Sequence, residues 1–325
     1  MTIKILSSSS VLPKRIVTNF DLAKQVDTSD EWIQKMTGIR QRHILSEDET
    51  FLDCTVEAAR LAIEKAKLSP EDIDAIVIST STPWQIMPST AAIVQGLLGI
   101  TQCIAFDLQA ACGGFMYALY NAWCFMQADK KIRRTLVMGC EALSKVIDWR
   151  DRTTCVLFGD GFGALVLERD DAEDGKGILH CTISCDGAGR QDLEVPWGIG
   201  RGYAELETAN RHMLMNGREV YKNSVNYFVS LIKDTLAENN LQEHDIAWVI
   251  PHQANIRIIH AVAERMNIPH ERFVITLQQH GNTSAASIPL AFDSAVKSNK
   301  ISAGDLVLLV GFGAGYTWGT ALISV

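Results

Sequence analysis

No C-x-x-C pair occurs among the eight cysteines, at 54, 103, 112, 124, 140, 155, 181 and 185, which removes the zinc-knuckle and thioredoxin readings. A reducing, cytoplasmic compartment is the expected setting. The first residues lack a signal-peptide core, because the apolar run between Met1 and Pro13 is only Ile5-Leu6 before four serines. That segment reads as a first strand. Basic charge is also short: 30 Lys and Arg against 38 Asp and Glu leave a net charge of -8, which excludes a nucleic-acid coat and requires any anionic partner to meet a local basic patch. The strings H-E-x-x-H, G-x-S-x-G and the phosphate-binding G-x-x-x-x-G-K are absent. No metal site is expected.

Charge is missing altogether from three long stretches, Ala75 to Phe106, Leu108 to Ala128 and Leu306 to Val325. Length alone admits membrane spans. The first is cut by Pro83 and Pro88, the last by four glycines between Gly311 and Gly319, and the middle one carries Gln109 and Asn121 with no basic flank on its N-terminal side. Segments buried on all sides in a large core give the same signal, so no membrane span is expected.

What is present is an internal repeat. Ile73–Ile78 leads to an apolar helix pattern ending at Leu98-Gly99-Ile100, and Ile246–Ile250 leads to one ending at Met266-Asn267-Ile268. An amphipathic helix precedes each, about Phe51 to Lys67 and Val220 to Asn239. A strand follows each, Ile104–Leu108 or Phe273–Leu277, and then a small-residue turn opening a helix, Ala111-Cys112-Gly113-Gly114 or Gly281-Asn282-Thr283-Ser284. Both halves close with two strands, Thr135–Gly139 with Cys155–Leu167, and Asp305–Val310 with Gly319–Val325. Four elements recur in order at an offset of roughly 170 residues. The chain of 325 residues therefore reads as two copies of one α/β unit, 1–172 and 173–325, with mostly parallel or mixed sheets covered by helices. Two unrelated α/β domains are the alternative.

Cys112 lies between a strand and the helix pattern Phe115 to Ala128, where the positive end of the macrodipole lowers a thiol pKa from roughly 8.5 and favours the thiolate. The bland alternative is a buried structural cysteine. His252, in Pro251-His252-Gln253-Ala254-Asn255, sits at the C-terminal end of a buried strand, where open α/β sheets place ligands. Asn282 matches Cys112 under the repeat to within a residue or so, and pseudo-twofold symmetry then brings the two turns together. Gly159-Asp160-Gly161-Phe162-Gly163 resembles a dinucleotide fingerprint, but Ala164–Leu167 after it reads as a strand where the fingerprint needs a helix.

The strings Thr28–Ile33, Thr37-Gly38-Ile39-Arg40, Ala110–Gly114, Phe158–Gly161, Pro251–Asn255 and His280–Ser287 resemble the 3-oxoacyl-[acyl-carrier-protein] synthase III family, and the match runs essentially from end to end. The resemblance implies the thiolase fold, a homodimer, and the condensing acyltransferase reaction that starts type II fatty acid synthesis. It implies a Cys112, His252, Asn282 triad, with the thiolate taking an acyl group from a coenzyme A thioester. The N–H donors of His252 and Asn282 then face the charge formed as malonyl-acyl carrier protein loses carbon dioxide. Coenzyme A enters as substrate, and no cofactor is implied. By the same resemblance the backbone N–H groups of Cys112 and Ala314 form a second oxyanion hole, and Phe312 lies over the triad. Trp32 and Arg152 sandwich an adenine, and Gly217 and Asn255 bind substrate. Arg257, Arg265 and Lys222 offer a basic face to acidic acyl carrier protein.

Departures fall at substrate-handling positions. Met36 stands where the best-known members have an Arg that holds coenzyme A, Arg218 where the family often has Asn, and Glu264 where a Lys is common. By the same resemblance Met87 would occupy the far end of the acyl channel, reaching across from the partner subunit, where acetyl-specific members have Phe. Acyl chains longer than acetyl are expected. Two other readings keep the fold: a condensing enzyme or acyltransferase of secondary metabolism, and a non-catalytic partner subunit.

Overall fold

The computed structural model describes residues 1–171 and 175–325. The expected division of the chain between 172 and 173 lies outside the described residues. Two mixed sheets carry the architecture. Across the first, the strands run Thr2–Val11, Asp160–Asp170, Arg134–Ala142, Ala75–Ser79 and Ile104–Leu108. Across the second they run Gly177–Cys185, Thr317–Ser324, Leu306–Gly313 and Trp248–Pro251. The four strands of the second match the first four of the first, and Ile104–Leu108 has no full strand as its counterpart. In each sheet the first two pairings are antiparallel and the third is parallel, so the repeat seen in the sequence is a repeat of topology. The expected first strand pairs with Asp160–Asp170.

Burial on both faces explains why the strands lack polar alternation. Ala75 and Val77 face one core while Ile76 and Ile78 face another. In the second sheet, Val307 and Leu309 face inward and Leu308 and Val310 outward. The helices Gly114–Ala128 and Ser287–Lys297 lie between the sheets and touch both. Phe51–Lys65 and Thr90–Leu97 cover the outside of the first sheet, and Gly217–Glu238 and Ile256–Met266 that of the second. The central position accounts for the uncharged run after Leu108. Among the described residues no helix is long and apolar enough to cross a membrane.

Two expected strands are shorter than the sequence suggests. At Phe273–Leu277 only Phe273 bridges Val249, and the chain turns into a short helix at Leu277–His280. The Gln253 side chain takes the backbone groups that a ladder would have used: it donates to the Val274 carbonyl at 3.0 Å and accepts from the Thr276 N–H at 2.9 Å. Cys155–Gly159 stays outside the strand that begins at Asp160. There Arg42, fully buried, donates to the Val156 carbonyl at 2.7 Å, and Asn282 pairs with the backbone of Leu157 and Gly159. Since Asp160–Asp170 is a strand, the rejected dinucleotide fingerprint has no helix to serve it.

Candidate active site

The strand Ile104–Leu108 leads to a turn in which Ala111 holds a left-handed φ of 48°, and in the second half Ser284 holds 51°. Such backbone costs of order 1–3 kcal/mol and persists where surrounding structure enforces it. Each strained residue opens a single-turn helix, Ala111–Gly113 or Ser284–Ala286, that runs into a central helix. Ala111 thus corresponds to Ser284 and Cys112 to Ala285. Asn282 corresponds to Gln109, three residues from the pairing with Cys112 that the repeat suggested. The extra helical turn at Leu277–His280 shifts the chain before it enters the second turn.

Cys112 is nearly closed off, with 7% of its surface exposed. Burial pushes its thiol up to about 12, against the lowering expected from the helix N-terminus, while a hydrogen bond with the Ser284 side chain pulls it back. The resting side chain is a thiol at neutral pH. Behind it the strand Leu306–Gly313 comes as close as backbone allows. A Cβ on Gly313 would lie 2.5 Å from the Gly113 nitrogen and 2.6 Å from the Cys112 nitrogen, so only glycine lets the two chains meet.

His252 follows the strand Trp248–Pro251, its N–H bonded to the Val310 carbonyl at 2.8 Å. Its Nδ1 lies 2.6 Å from Ser287 Oγ, an oxygen that also receives the Gln253 N–H. Burial pushes the ring down to about 3, so it is a neutral imidazole at physiological pH. Asn282 is fixed by its own backbone, N–H to the Leu157 carbonyl at 2.9 Å and carbonyl to the Gly159 N–H at 3.0 Å. Its Oδ1 accepts the Ser284 N–H at 2.9 Å, which leaves the amide NH2 as the end available to a ligand.

One cavity of about 380 Å³ gathers these groups. Cys112, His252, Asn282 and Phe312 are buried at its inner end, and Arg152, Arg218 and Arg257 are exposed at its mouth. Phe312 stacks on Tyr227 at 5.5 Å between ring centres. Gly217 and Asn255 also line the cavity. Both ends of the Asn255 amide are used, one capping Ile256–Met266 through the Arg257 N–H and the other reaching the Met36 carbonyl at 3.1 Å. The Arg152 guanidinium lies directly over the Trp32 ring at 4.9 Å and donates to the Asp27 carbonyl at 2.7 Å. A base entering between the two rings must therefore displace Arg152, whose side chain is about half exposed.

A second cavity of about 970 Å³ reaches Cys112 from another side. Phe51, Trp84, Ile86, Leu143 and Val146 line it, with Ala314 beside Cys112. Met87 is 77% exposed and lines neither cavity of its own chain. Arg265 and Lys222 also lie outside both. Arg265 donates to Asn226 at 2.9 Å, Lys222 pairs with Glu219 at 3.5 Å, and Arg257 stacks over Tyr221. Sequence reasoning did not single out Ser284, Ser287, Gly313 or Glu141. For Glu141 a signal exists, since it is the only charge between Thr135 and Leu143.

A buried thiol that shares a cavity with two neutral N–H donors and a basic mouth suits acyl transfer from an anionic carrier. Sequence models described as 3-Oxoacyl-[acyl-carrier-protein (ACP)] synthase III and as its C-terminal part match residues 106–187 and 236–325. A protein named Beta-ketoacyl-[acyl-carrier-protein] synthase III from Xanthomonas campestris pv. campestris is 47% identical over 320 residues, covering 98% of this chain and 97% of its own. One of the same name from Thioalkalivibrio sulfidiphilus is 47% identical and covers 98% of both. Among solved structures, the 3-oxoacyl-[acyl-carrier-protein] synthase III of Aquifex aeolicus superposes with a TM-score of 0.92 at 42% identity, covering 99% of this chain and 100% of that one.

Proposed function

Because the chain belongs to the 3-oxoacyl-[acyl-carrier-protein] synthase III family, the thiolase-fold acyltransferases that carry out the initiating condensation of fatty acid synthesis, we propose that it works through an acyl-enzyme on Cys112. The thiolate attacks the carbonyl of an acyl-coenzyme A, the carbon–sulfur bond to coenzyme A breaks, and coenzyme A leaves as the thiol. The carrier-bound malonyl group then enters by the same cavity. Loss of its carboxylate as carbon dioxide puts negative charge on the thioester oxygen, and the N–H groups of His252 and Asn282 stabilise it without a counter-charge. The carbanion attacks the acyl-enzyme, the Cys112–acyl bond breaks, and one proton from water restores the thiol. Backbone N–H groups at Cys112 and Ala314 hold the carbonyl oxygen in both attacks.

The observation that carries this reading is the burial of Cys112, His252 and Asn282 at the inner end of one cavity. Arg152, Arg218 and Arg257 at the mouth suit the phosphates of coenzyme A or of a carrier's prosthetic arm. Arg257, Arg265 and Lys222 on two packed helices form the docking face for acidic acyl carrier protein. The volume and apolar lining of the second cavity support acyl groups longer than acetyl, with Met87 closing the channel of a partner subunit in a homodimer. The test is stoichiometry. With an acyl-coenzyme A and malonyl-acyl carrier protein, one carbon dioxide and one coenzyme A should be released per 3-oxoacyl product, and Cys112→Ser should release no coenzyme A and form no product. Formation of 3-oxoacyl product by Cys112→Ser at the unmodified rate would refute the two-step reading.

A further inference from the structure

Thr317 takes no part in that mechanism, yet its side chain stands where the two halves of the site meet. It opens the strand Thr317–Ser324, opposite Gly313 in the ladder with Leu306–Gly313. Its hydroxyl lies 2.7 Å from the Ala110 carbonyl and 3.2 Å from the Ala314 carbonyl, and since both oxygens can only accept, its single proton is shared between them. The nearer contact joins the two halves of the chain. Ala110 leads into the turn that carries Cys112, and Ala314 belongs to the turn that follows Gly313. All of these residues line the second cavity.

The turn at Cys112 is shaped to receive this hydroxyl. A Cβ on Gly113 would lie 2.8 Å from Thr317 Oγ1 and 3.0 Å from the Thr317 carbonyl, and a Cβ on Gly315 would lie 3.1 Å from Thr317 Cγ2. The Thr317 side chain is wedged between the two turns. The carbonyl it holds belongs to the peptide joining Ala110 to Ala111, and on that plane turns the left-handed φ of 48° at Ala111. Strained backbone persists only where its surroundings enforce it. The next peptide along carries the Cys112 N–H, so a hydroxyl fixed on the Ala110 oxygen also fixes the direction of that donor.

We propose that Thr317 is a positioning residue that sets the spacing of the two oxyanion-hole donors, the backbone N–H groups of Cys112 and Ala314. No bond is made or broken at its side chain. One shared proton ties the carbonyl before the strained residue to the carbonyl of Ala314, and both donors then face one oxygen before charge develops on it. Donors arranged in advance need no reorganisation during attack. Charge develops on that oxygen when Cys112 attacks the acyl thioester and again when the carbanion attacks the acyl-enzyme, so both steps depend on Thr317. Malonyl decarboxylation, assigned to His252 and Asn282, does not. Valine in its place would press a methyl group on the Ala110 carbonyl, in a residue only 5% exposed, and a buried acceptor left without a donor turns toward another.

The inference rests on the acyl-enzyme at Cys112 and its backbone oxyanion hole, and the experiment separates the two. Single-turnover acylation by an acyl-coenzyme A is followed by intact mass, and decarboxylation of malonyl-acyl carrier protein as labelled carbon dioxide, in the full-length protein and in Thr317→Val and Thr317→Ser. Thr317→Val should acylate about 10- to 100-fold more slowly and release carbon dioxide at close to the unmodified rate. Thr317→Ser, which keeps the hydroxyl and loses the methyl, should recover most of the acylation rate. Thr317→Ala removes the same hydroxyl without bulk and carries the test if Thr317→Val does not fold. Unmodified acylation in a folded Val or Ala variant, a loss in Thr317→Ser as large as theirs, or equal loss in both half-reactions would overturn the role of Thr317 alone. Failure of the unmodified protein to acylate at Cys112 would overturn the underlying reading as well.

Discussion

A methyl group at Gly313 probes the proposed oxyanion hole without touching a side chain of the site. Ordinary contact begins near 3.4 Å, and the new Cβ would meet the Gly113 and Cys112 nitrogens at 2.5 and 2.6 Å. Backbone faces backbone there, so no rotamer change relieves the overlap, and the two chains must part by about 0.8–0.9 Å. Overpacking of this kind costs about 1–3 kcal/mol, a drop of several degrees in Tm. The kinetic effect should be larger, because a misplacement of about 1 Å costs on the order of 100-fold, and the displaced groups are the Cys112 N–H and the Ala314 N–H that follows Gly313. Gly313→Ala should therefore slow single-turnover acylation by about 100-fold. Malonyl decarboxylation, which in the proposed mechanism uses the donors of His252 and Asn282, should fall much less. Thermal unfolding and the two half-reactions measured separately test this. Unchanged acylation, or equal loss in both half-reactions, would refute the argument.

Asn282→Asp keeps the oxygen that accepts the Ser284 N–H but replaces the free NH2 with a charged oxygen. It should still self-acylate and should lose malonyl decarboxylation by about 100- to 1000-fold, measured as labelled carbon dioxide. The buried rings of His252 and His280 are held down to about 3 and about 4 by burial. As pH falls below about 6.5 the unfolded chain binds protons there that the folded protein does not, so stability should decline between about pH 6.5 and 4. Urea unfolding at stepped pH checks the sign, and stability rising over that range would contradict it. Met87→Phe should shift the kcat/KM preference toward acetyl, by about 1–3 kcal/mol per methylene at most. Strict acetyl specificity in the unmodified protein would count against a roomy acyl channel.

The repeat was legible because strands buried on both faces and a central layer of helices leave charge-free runs that few other arrangements produce. Cys112 and His252 were legible for a related reason, since one lies in the turn that opens a helix and the other follows a strand, whereas the repeat placed Asn282 only to within three residues. Side chains that replace backbone pairing were not. Gln253 takes the place of a strand partner at Val274 and Thr276, and Phe273–Leu277 consequently has strand composition without strand structure. The direction of the Cys112 shift was missed because a helix N-terminus is visible in a sequence, whereas burial of the thiol depends on Gly313 and Ser284, residues far away in the chain. Glu141 left one trace, a lone acid in an apolar strand, whose hydrogen bond from Ser284 crosses between the halves.

The central claim is that Cys112 carries the acyl group, and intact-mass analysis followed by peptide mapping tests it most directly. After incubation with acyl-coenzyme A donors of two to eight carbons, the protein should gain one acyl mass, mapped to Cys112, and Cys112→Ser should gain none. A stable adduct on any of the other seven cysteines, with Cys112 unmodified, would contradict the account.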